Sequence, residues 1–272
     1  MELAVALVQL DATDDVAANI ARAAARTDRA AADGARLVAL PEYLHYRGGD
    51  DGFRASAADI PGALTAPFAA IARERDAWIL LGSIAERSAD PERPYNTSVV
   101  IAPTGEVAAT YRKIHLFDVD VERGPADTES ARVTAGAAAT CVDIDGARVG
   151  LSVCYDLRFP ELYRTLALAG AQVLTVPANF MERTGRDHWE VLLRARAIEN
   201  GAWVLAPSQI FGPPRHPAFG RSMIIDPWGT VVAQAPDGVG VVAARIETDR
   251  VAAVRRQIPV LANRRPKAYR LG

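Results

Sequence analysis

The chain alternates between two kinds of strand connection, and this alternation restricts its fold more than any other feature of the sequence. Apolar runs at residues 3–10 and 37–40 predict buried strands, and the amphipathic stretch 16–32 between them predicts a helix. Farther along, turn sequences at 103–105 (Pro-Thr-Gly) and 145–146 (Asp-Gly) each separate two β-rich runs and predict hairpins. Helical crossovers join parallel strands, whereas hairpins join antiparallel ones. The sequence therefore predicts an α/β fold with one or two mixed sheets and helices outside.

Size, charge and composition narrow the partners that the chain can take. Its 272 residues contain no Gly/Ser- or Pro-rich linker, so we expect one domain over residues 1–272. The formal net charge of -2 gives no general attraction to nucleic acid or to an anionic membrane. No apolar run approaches the roughly 20 residues that span a bilayer, and the first residues lack the positive charge of a signal peptide. We expect a cytoplasmic protein that binds a small molecule, with no nucleic-acid or membrane partner.

Three reactive side chains lie at corresponding positions in this pattern. Glu42, Lys113 and Cys154 each follow the end of a predicted strand, where α/β proteins commonly assemble their sites. They form a complete set for attack on a carbonyl or nitrile carbon: a thiol nucleophile, a carboxylate that carries its proton, and an ammonium that stabilises the oxyanion. This chemistry needs no metal or organic cofactor, and the four histidines lack metal-ligand spacing, so we expect neither group.

Cys154 is the most informative of the three residues. The chain has only one other cysteine, Cys141, so a disulfide framework is not expected. Taken alone, a cysteine at a strand end is more often an inert buried residue, and Glu42 or Lys113 alone would usually be a solvated charge. The three together favour a reactive thiol. We expect the nearby lysine and the positive end of a helix that begins at Pro160 to lower the pKa of that thiol.

Three separated motifs around these residues resemble the catalytic signatures of the nitrilase superfamily of carbon–nitrogen hydrolases. They are Leu-Pro-Glu-Tyr at 40–43, Tyr-Arg-Lys-Ile-His-Leu-Phe-Asp at 111–118 and Cys-Tyr-Asp-Leu-Arg-Phe-Pro-Glu-Leu-Tyr at 154–163. Segments 188–200 and 226–230 are similar to later parts of the Nit-type amidase branch, so the resemblance covers essentially the whole chain. It implies a four-layer αββα sandwich of two mixed sheets that pairs into a homodimer or larger homo-oligomer.

The resemblance also implies a role for each motif residue. Glu42 would be the general base, Lys113 the lysine that stabilises the oxyanion, and Cys154 the nucleophile. The backbone N–H of Tyr155 would complete the oxyanion site. Glu129, in a Glu-Ser pair that resembles the family's second glutamate, would orient Lys113 or the leaving group; the alternative is an ordinary loop carboxylate.

Four residues are candidates for contact with the substrate. Arg158 could hold either a substrate carboxylate or an aspartate of the protein itself. Asn179, Phe180 and Met181 follow a predicted strand and are candidates for the wall of a pocket.

Two departures from the Nit-type pattern bear on this pocket. Arg221 stands where the branch commonly has the histidine of a Gly-His-Ser segment. The pair Ala178-Asn179 precedes Phe180, where the branch tends to have two small residues. Neither departure touches the reactive set, so we expect an effect on pocket size and polarity rather than on the chemistry.

The leading hypothesis is a hydrolase that cleaves the C–N bond of a small carboxylated amide through a cysteine thioester, releasing ammonia or an amine and a carboxylic acid. The Nit-type likeness implies an omega-amidase or a deaminated-glutathione amidase. The alternatives are an N-carbamoyl amino acid hydrolase or an aliphatic nitrilase with the same three residues, and, in another class, a binding subunit without activity.

The C-terminal residues suggest how subunits pair. Residues 255–272 contain six basic side chains and no acidic one. A nucleic-acid arm is one interpretation, but two prolines, Leu261 and Tyr269 favour a packed tail at a subunit interface.

Overall fold

Two six-stranded sheets form the centre of the protein in a computed structural model that describes residues 1–121, 126–213 and 217–268. The first sheet has, in spatial order, strands β16 (Gly240–Glu247), β1 (Glu2–Gln9), β2 (Leu37–Ala39), β3 (Trp78–Glu86), β4 (Tyr95–Ile101) and β5 (Val107–Arg112). The second has β15 (Val231–Gln234), β14 (Met223–Ile225), β11 (Trp203–Ala206), β10 (Val173–Thr175), β9 (Ala147–Leu151) and β8 (Cys141–Ile144). Two short hairpins pair β6 (Asp118–Asp120) with β7 (Ala126–Thr128) and β12 (Ile210–Phe211) with β13 (Ala218–Phe219).

Both large sheets are mixed, as the two kinds of connection predict. In the first sheet β1, β2 and β3 are parallel, and β16, β4 and β5 add to its edges antiparallel. In the second sheet β9, β10 and β11 are parallel, and β8, β14 and β15 are antiparallel. Each sheet therefore joins a helix-connected parallel centre to hairpins.

Helices cover the outer face of each sheet. The α-helices of the described residues are α1 (Val16–Ala32), α2 (Asp50–Ala55), α3 (Ala66–Arg75), α4 (Pro160–Leu168), α5 (Glu182–Asn200) and α6 (Thr248–Gln257). The pair α1 and α3 packs on the first sheet, and the pair α4 and α5 packs on the second. This arrangement confirms the four-layer αββα sandwich.

The side-chain pattern of β1 shows how the sequence produces these layers. Leu3, Val5 and Leu7 belong to the apolar cluster shared with the second sheet, whereas Ala6 and Val8 belong to the cluster that includes α1 and α3. Successive side chains of a strand point to opposite faces. A strand with apolar residues at every position can therefore be buried on both sides, and β1 is.

The helix that the sequence predicts over 189–199 is longer than expected. α5 begins at Glu182, because its first two turns pack close to the β12–β13 hairpin: a Cβ on Gly185 would lie 2.5 Å from the Cβ of Phe219. Residues 182–188 are almost entirely polar, so they give no apolar periodicity from which a helix could be predicted.

The C-terminal residues are only partly described. Residues 255–257 end α6, where the Arg255 guanidinium donates to the backbone carbonyls of Asn200 and Ala171. Tyr269 and Arg270 of the expected tail lie outside the described residues. The single domain over 1–272 and the interface role of the tail stay predictions. Within the described ranges, no helix is both long and apolar enough to cross a membrane.

Candidate active site

Four side chains singled out from the sequence line one cavity of about 300 Å³: Glu42, Lys113, Glu129 and Cys154. Lys113 directly follows β5, and Glu42 and Cys154 lie shortly beyond the ends of β2 and β9. Glu129 opens a short 3-10 turn, Glu129–Ala131, that follows β7. We call these four residues the reactive cluster. The expectation that strand ends bring three of them together agrees with this geometry.

A strained turn presents Cys154 to the cavity. Its φ of +49° lies in the left-handed region, which residues with a side chain seldom adopt. The Cys154 N–H donates to the carbonyl of Pro177 at 2.9 Å. The fully buried Asp156 carboxylate accepts from the N–H of Val153 at 2.8 Å and from the hydroxyl of Tyr111 at 2.7 Å. These bonds fix the turn from both sides of the cysteine.

A second constrained turn carries Glu42. The following residue, Tyr43, has a φ of +54°, and its N–H donates to the Ser83 hydroxyl at 3.0 Å. Strand β3 comes so close that a Cβ on Gly82 would lie 2.0 Å from the carbonyl oxygen of Leu40. Only glycine permits this approach, and it holds the Glu42 turn against the sheet.

Lys113 joins the two carboxylates of the reactive cluster. Its Nζ lies 3.0 Å from Glu42 Oε1 and 2.8 and 3.1 Å from Glu129 Oε2 and Oε1. The side chains of Lys113, Glu42 and Glu129 are 2%, 1% and 1% exposed. Two carboxylates and one ammonium leave a net charge of −1 in a place that water hardly reaches. Such a charge is stable only if further donors stabilise it.

Those donors are present. The hydroxyl of Tyr43 donates to Glu129 Oε1 at 2.6 Å, and the N–H of Phe117 donates to Glu129 Oε2 at 2.6 Å. The N–H of Asn179 donates to Glu42 Oε2 at 2.8 Å. Among the described residues, no group of three His, Cys, Asp or Glu side chains is arranged to hold a metal ion.

Electrostatics keep Lys113 and Glu129 charged. Burial by itself lowers the pKa of the Lys113 ammonium, but Glu129 and Glu42 outweigh it and hold that pKa well above its usual value. Burial raises the pKa of the Glu129 carboxyl, but Lys113 and the hydrogen bonds that Glu129 accepts outweigh it and lower that pKa below its usual value. A fixed ammonium therefore faces the cavity throughout the neutral range.

The expectation of a lowered thiol pKa at Cys154 is wrong. Burial, followed by the charge of Glu42 and a hydrogen bond to it, raises the pKa of the thiol well above its usual value, and Lys113 offsets this only in part. A thiolate would add a second negative charge beside Glu42 in a buried place. The raised pKa therefore favours the neutral thiol beside the Glu42 carboxylate.

The four candidate substrate contacts also line the cavity: Arg158, Asn179, Phe180 and Met181. The Arg158 guanidinium lies over the ring of Phe180 at 5.2 Å and over that of Tyr155 at 5.9 Å, and 3.3 Å from Nδ1 of His188. No described aspartate pairs with Arg158, so the alternative of a purely structural ion pair finds no support in the structure.

Two further arginines line the same cavity, but both bind within the protein. Arg132 forms a bidentate pair with Asp127 at 2.6 and 2.9 Å. The buried Arg47 lies 3.4 Å from Asp11 and donates to the carbonyl of Phe211 at 3.0 Å. Of the three arginines among the described lining residues, only Arg158 lacks a carboxylate partner.

The two departures noted in the sequence lie in different places. Asn179 lines the cavity, whereas Arg221 is not among the described lining residues. The guanidinium of Arg221 pairs with Asp237 at 2.8 and 3.0 Å, and its side chain is 40% exposed. Arg221 therefore gives the pocket no direct contact of the kind expected.

Asn96 contacts the reactive cluster and was missed in the sequence. It is fully buried on β4, and its Nδ2 donates to Glu42 Oε1 at 2.9 Å. A signal was present: Asn96, Thr97 and Ser98 interrupt a strand that is otherwise apolar, next to the strand that leads to Lys113. Consecutive polar residues in a buried strand need partners, and a polar site supplies them.

Comparison with known proteins gives consistent matches. The carbon–nitrogen hydrolase family matches residues 4–256. A deaminated glutathione amidase from Synechocystis sp. is 42% identical over 95% of this chain and 97% of its own length. The omega-amidase NIT2 of Homo sapiens is 37% identical over 97% of this chain and 95% of its own length. The crystal structure of the C. elegans NitFhit protein superposes with a TM-score of 0.93 at 34% identity, covering 99% of this chain and 66% of that longer chain.

Proposed function

This chain belongs to the carbon–nitrogen hydrolase family, and from that premise we propose that it hydrolyses a small carboxylated amide through a thioester on Cys154. One observation carries the assignment of residues. The Cys154 thiol and the Glu42 carboxylate line the wall of one cavity and act on each other electrostatically, and Glu42 is 3.0 Å from the Lys113 ammonium. This proximity supports the proposed roles of Cys154 as nucleophile, Glu42 as base and Lys113 as oxyanion stabiliser.

In the first half of the proposed reaction, Glu42 takes the thiol proton while the sulfur attacks the amide carbonyl carbon. The carbonyl oxygen gains the negative charge, which the Lys113 ammonium and the backbone N–H of Tyr155 stabilise. Collapse of this intermediate breaks the C–N bond, and protonated Glu42 gives its proton to the departing nitrogen. Ammonia or an amine leaves, and the acyl group remains on sulfur.

In the second half, water replaces the amine. Glu42, again a carboxylate, takes a proton from the water as its oxygen attacks the thioester. The second oxyanion uses the same Lys113 and Tyr155 donors. When the C–S bond breaks, Glu42 returns the proton to sulfur and the carboxylic acid departs. Glu129 takes no proton in this scheme; it fixes the position and charge of Lys113 through two contacts.

Arg158 supports a carboxylated substrate. Among the described residues it is the lining arginine without a carboxylate partner, and its guanidinium lies over the ring of Phe180 and beside His188. A guanidinium in this position suits a carboxylate ligand. The relatives include a deaminated glutathione amidase and an omega-amidase, and we propose a substrate of that kind, with Asn179, Phe180 and Met181 forming the rest of the wall.

A homodimer is the finer proposal for assembly. Leu168 of α4 and Val191 and Ile198 of α5 are exposed, and so is Trp228 in the turn beside Ile198. Exposed apolar side chains on one helical face favour a protein partner, and a second copy is the one that the resemblance implies. Light scattering of wild type and Val191→Glu tests the proposed dimer. We expect the wild type to be a dimer and the introduced charge to weaken it, and a wild-type monomer would refute the proposal.

The cytoplasmic location stays a prediction.

Four isosteric probes test the reaction class: succinamate, its neutral analogue butyramide, N-carbamoylglycine and the nitrile 3-cyanopropionate. We expect ammonia and succinate from succinamate, with a kcat/KM well above that of butyramide. Preferred cleavage of N-carbamoylglycine with release of carbon dioxide would make the protein a carbamoylase. Preferred turnover of the nitrile would make it a nitrilase, and turnover of none would contradict the proposed substrate class.

A further inference from the structure

Asn96 touches every charged member of the reactive cluster. Its Nδ2 lies 2.9 Å from Glu42 Oε1 and 3.4 Å from Glu129 Oε1. Its backbone carbonyl accepts the N–H of Lys113 at 2.9 Å. One residue of β4 thus connects the backbone that carries the lysine with the side chains of both carboxylates.

The orientation of the Asn96 amide indicates which contact matters. Its Oδ1 is buried and has no hydrogen-bond partner among the described residues, although buried amide oxygens are normally bonded. The opposite orientation would put this oxygen against two carboxylate oxygens. The amide is therefore oriented by the hydrogen bonds that its Nδ2 donates to the carboxylates. This orientation leaves its Oδ1 without a partner among the described residues.

Glu42 depends on this donor more than Glu129 does. Lys113 Nζ makes two contacts with Glu129, at 2.8 and 3.1 Å, and one with Glu42, at 3.0 Å. Glu129 also receives hydrogen bonds from Tyr43 and Phe117. Among the described residues, the neutral N–H groups that reach the Glu42 carboxylate are the Asn96 side-chain amide and the Asn179 backbone.

We propose that Asn96 is a positioning residue that holds the Glu42 carboxylate toward the Cys154 thiol and stabilises its negative charge, so that loss of Asn96 narrows the acid side of the pH range in which the enzyme works. The inference rests on the proposed role of Glu42 as the base. A hydrogen bond donated to a carboxylate stabilises its charged form, and only the charged form can accept the thiol proton. The other groups that act on Glu42 are the ammonium of Lys113, the carboxylate of Glu129, the Cys154 thiol, the Tyr43 hydroxyl and the Arg47 guanidinium.

The test is the pH profile of kcat/KM for succinamate with wild type, Asn96→Ala and Asn96→Leu. Ser98→Ala is the matched control, because Ser98 is equally buried on the same strand, but among the described residues its hydroxyl bonds only the carbonyl of Leu81, at 3.2 Å. We expect Asn96→Ala to move the acid limb up by about one pH unit or more and to lower the plateau about 10- to 100-fold, as for the loss of a hydrogen bond to a charged group. The acid limb of the Ser98→Ala profile should stay at the wild-type pH.

Asn96→Leu keeps the shape of the side chain and adds neither a cavity nor a charge, so it reports even where the alanine variant fails to fold. It lacks the N–H donor, so it should move the acid limb up as far as alanine does. The role of Asn96 would be overturned if the folded variants kept the acid limb at the wild-type pH and lost no more activity than Ser98→Ala does. A wild type that turns over succinamate without an acid limb would instead overturn the role of Glu42.

Discussion

The reactive cluster and the wall around Arg158 line the same cavity but differ in how their charges are satisfied. Within the cluster, Lys113 and Glu129 are paired, and Glu42 receives hydrogen bonds from three elements of the fold. On the wall, the Arg158 guanidinium has aromatic rings and a histidine beside it but no described carboxylate. The charges of the cluster are thus satisfied within the protein, whereas the guanidinium of the wall has no carboxylate partner among the described residues.

This difference separates two kinds of variant. Changes in the reactive cluster should lower kcat for every amide, because they alter groups that act on the reacting atoms. Changes in the wall should alter the preference between charged and neutral amides and leave the chemical step largely intact. The following predictions test that separation, from the largest expected effect to the smallest.

Cys154→Ala should show the largest loss. Removal of the nucleophile leaves no thioester route, and we expect kcat for succinamate and butyramide to fall on the order of 10⁴-fold or more. Cys141→Ala is the matched control, since Cys141 is a half-buried thiol on β8 away from the cavity lining. Similar rates for the two variants would remove Cys154 from the chemistry.

Glu42→Gln separates base catalysis from electrostatics. We expect kcat to fall about 10²- to 10⁴-fold, the usual contribution of a general base. The negative charge of Glu42 raises the thiol pKa, so the neutral amide should lower it. The pH profile of Cys154 alkylation by iodoacetamide, read by intact mass, should therefore shift to lower pH while turnover is lost. A shift to higher pH would contradict the assigned electrostatics, and normal acylation with a stable thioester would contradict the dual role of Glu42.

Lys113→Ala should lower kcat roughly 10²- to 10³-fold, as for other lost oxyanion donors. It also leaves two buried carboxylates unpaired, so we expect the free energy of unfolding at pH 7 to fall by about 3–5 kcal/mol. The lowered pKa of Glu129 means that its pairing stabilises the fold above its unfolded-state pKa and is lost as pH falls through the folded value. The stability difference from wild type should therefore shrink in acid.

Arg112→Ala provides the control for this neighbourhood. Arg112 precedes Lys113 and pairs with Glu86 at 2.7 Å, but its side chain is 45% exposed. A surface ion pair contributes little, so stability and kcat should stay close to wild type. If Arg112→Ala lowered kcat and the free energy of unfolding as much as Lys113→Ala does, the losses would come from disturbing the end of β5 and not from removing the buried ammonium.

Among the substitutions expected to impair activity, Arg158→Met should give the smallest and most selective effect. Loss of a guanidinium–carboxylate contact should lower kcat/KM for succinamate about 10- to 100-fold, mainly through KM, with little change for butyramide. Arg158→Lys should recover part of the preference. Equal losses on both substrates would show that Arg158 supports the fold of the Cys154 turn and does not read the substrate charge.

The sequence predicts which residues form the reactive cluster better than it predicts how their pKa values shift. Strand periodicity and three motifs were enough to select Glu42, Lys113 and Cys154, and Glu129 lies beside Lys113 as the resemblance implied. The direction of the Cys154 pKa shift was wrong, because it depends on how much burial and the Glu42 charge outweigh Lys113. That balance exists only once residues far apart in the chain are packed together.

The same reasoning explains the residues that were missed or misplaced. Asn96 contributes through a contact with Glu42 across the sheet, and no local pattern specifies which partner a buried amide takes. Arg221 departs from the family pattern but binds Asp237 instead of lining the cavity. The start of α5 was missed because a polar first turn follows tertiary packing rather than periodicity.

The most direct test of the thioester at Cys154 is to catch it. The enzyme would be mixed with succinamate, quenched in acid during turnover and digested, and the peptides mapped by mass spectrometry, with a parallel reaction in hydroxylamine. We expect a succinyl adduct on the peptide that contains Cys154, unchanged in Cys141→Ala, and diversion of product to the hydroxamate. Formation of succinate with Cys154 unmodified at every quench time and no hydroxamate would contradict the thioester mechanism.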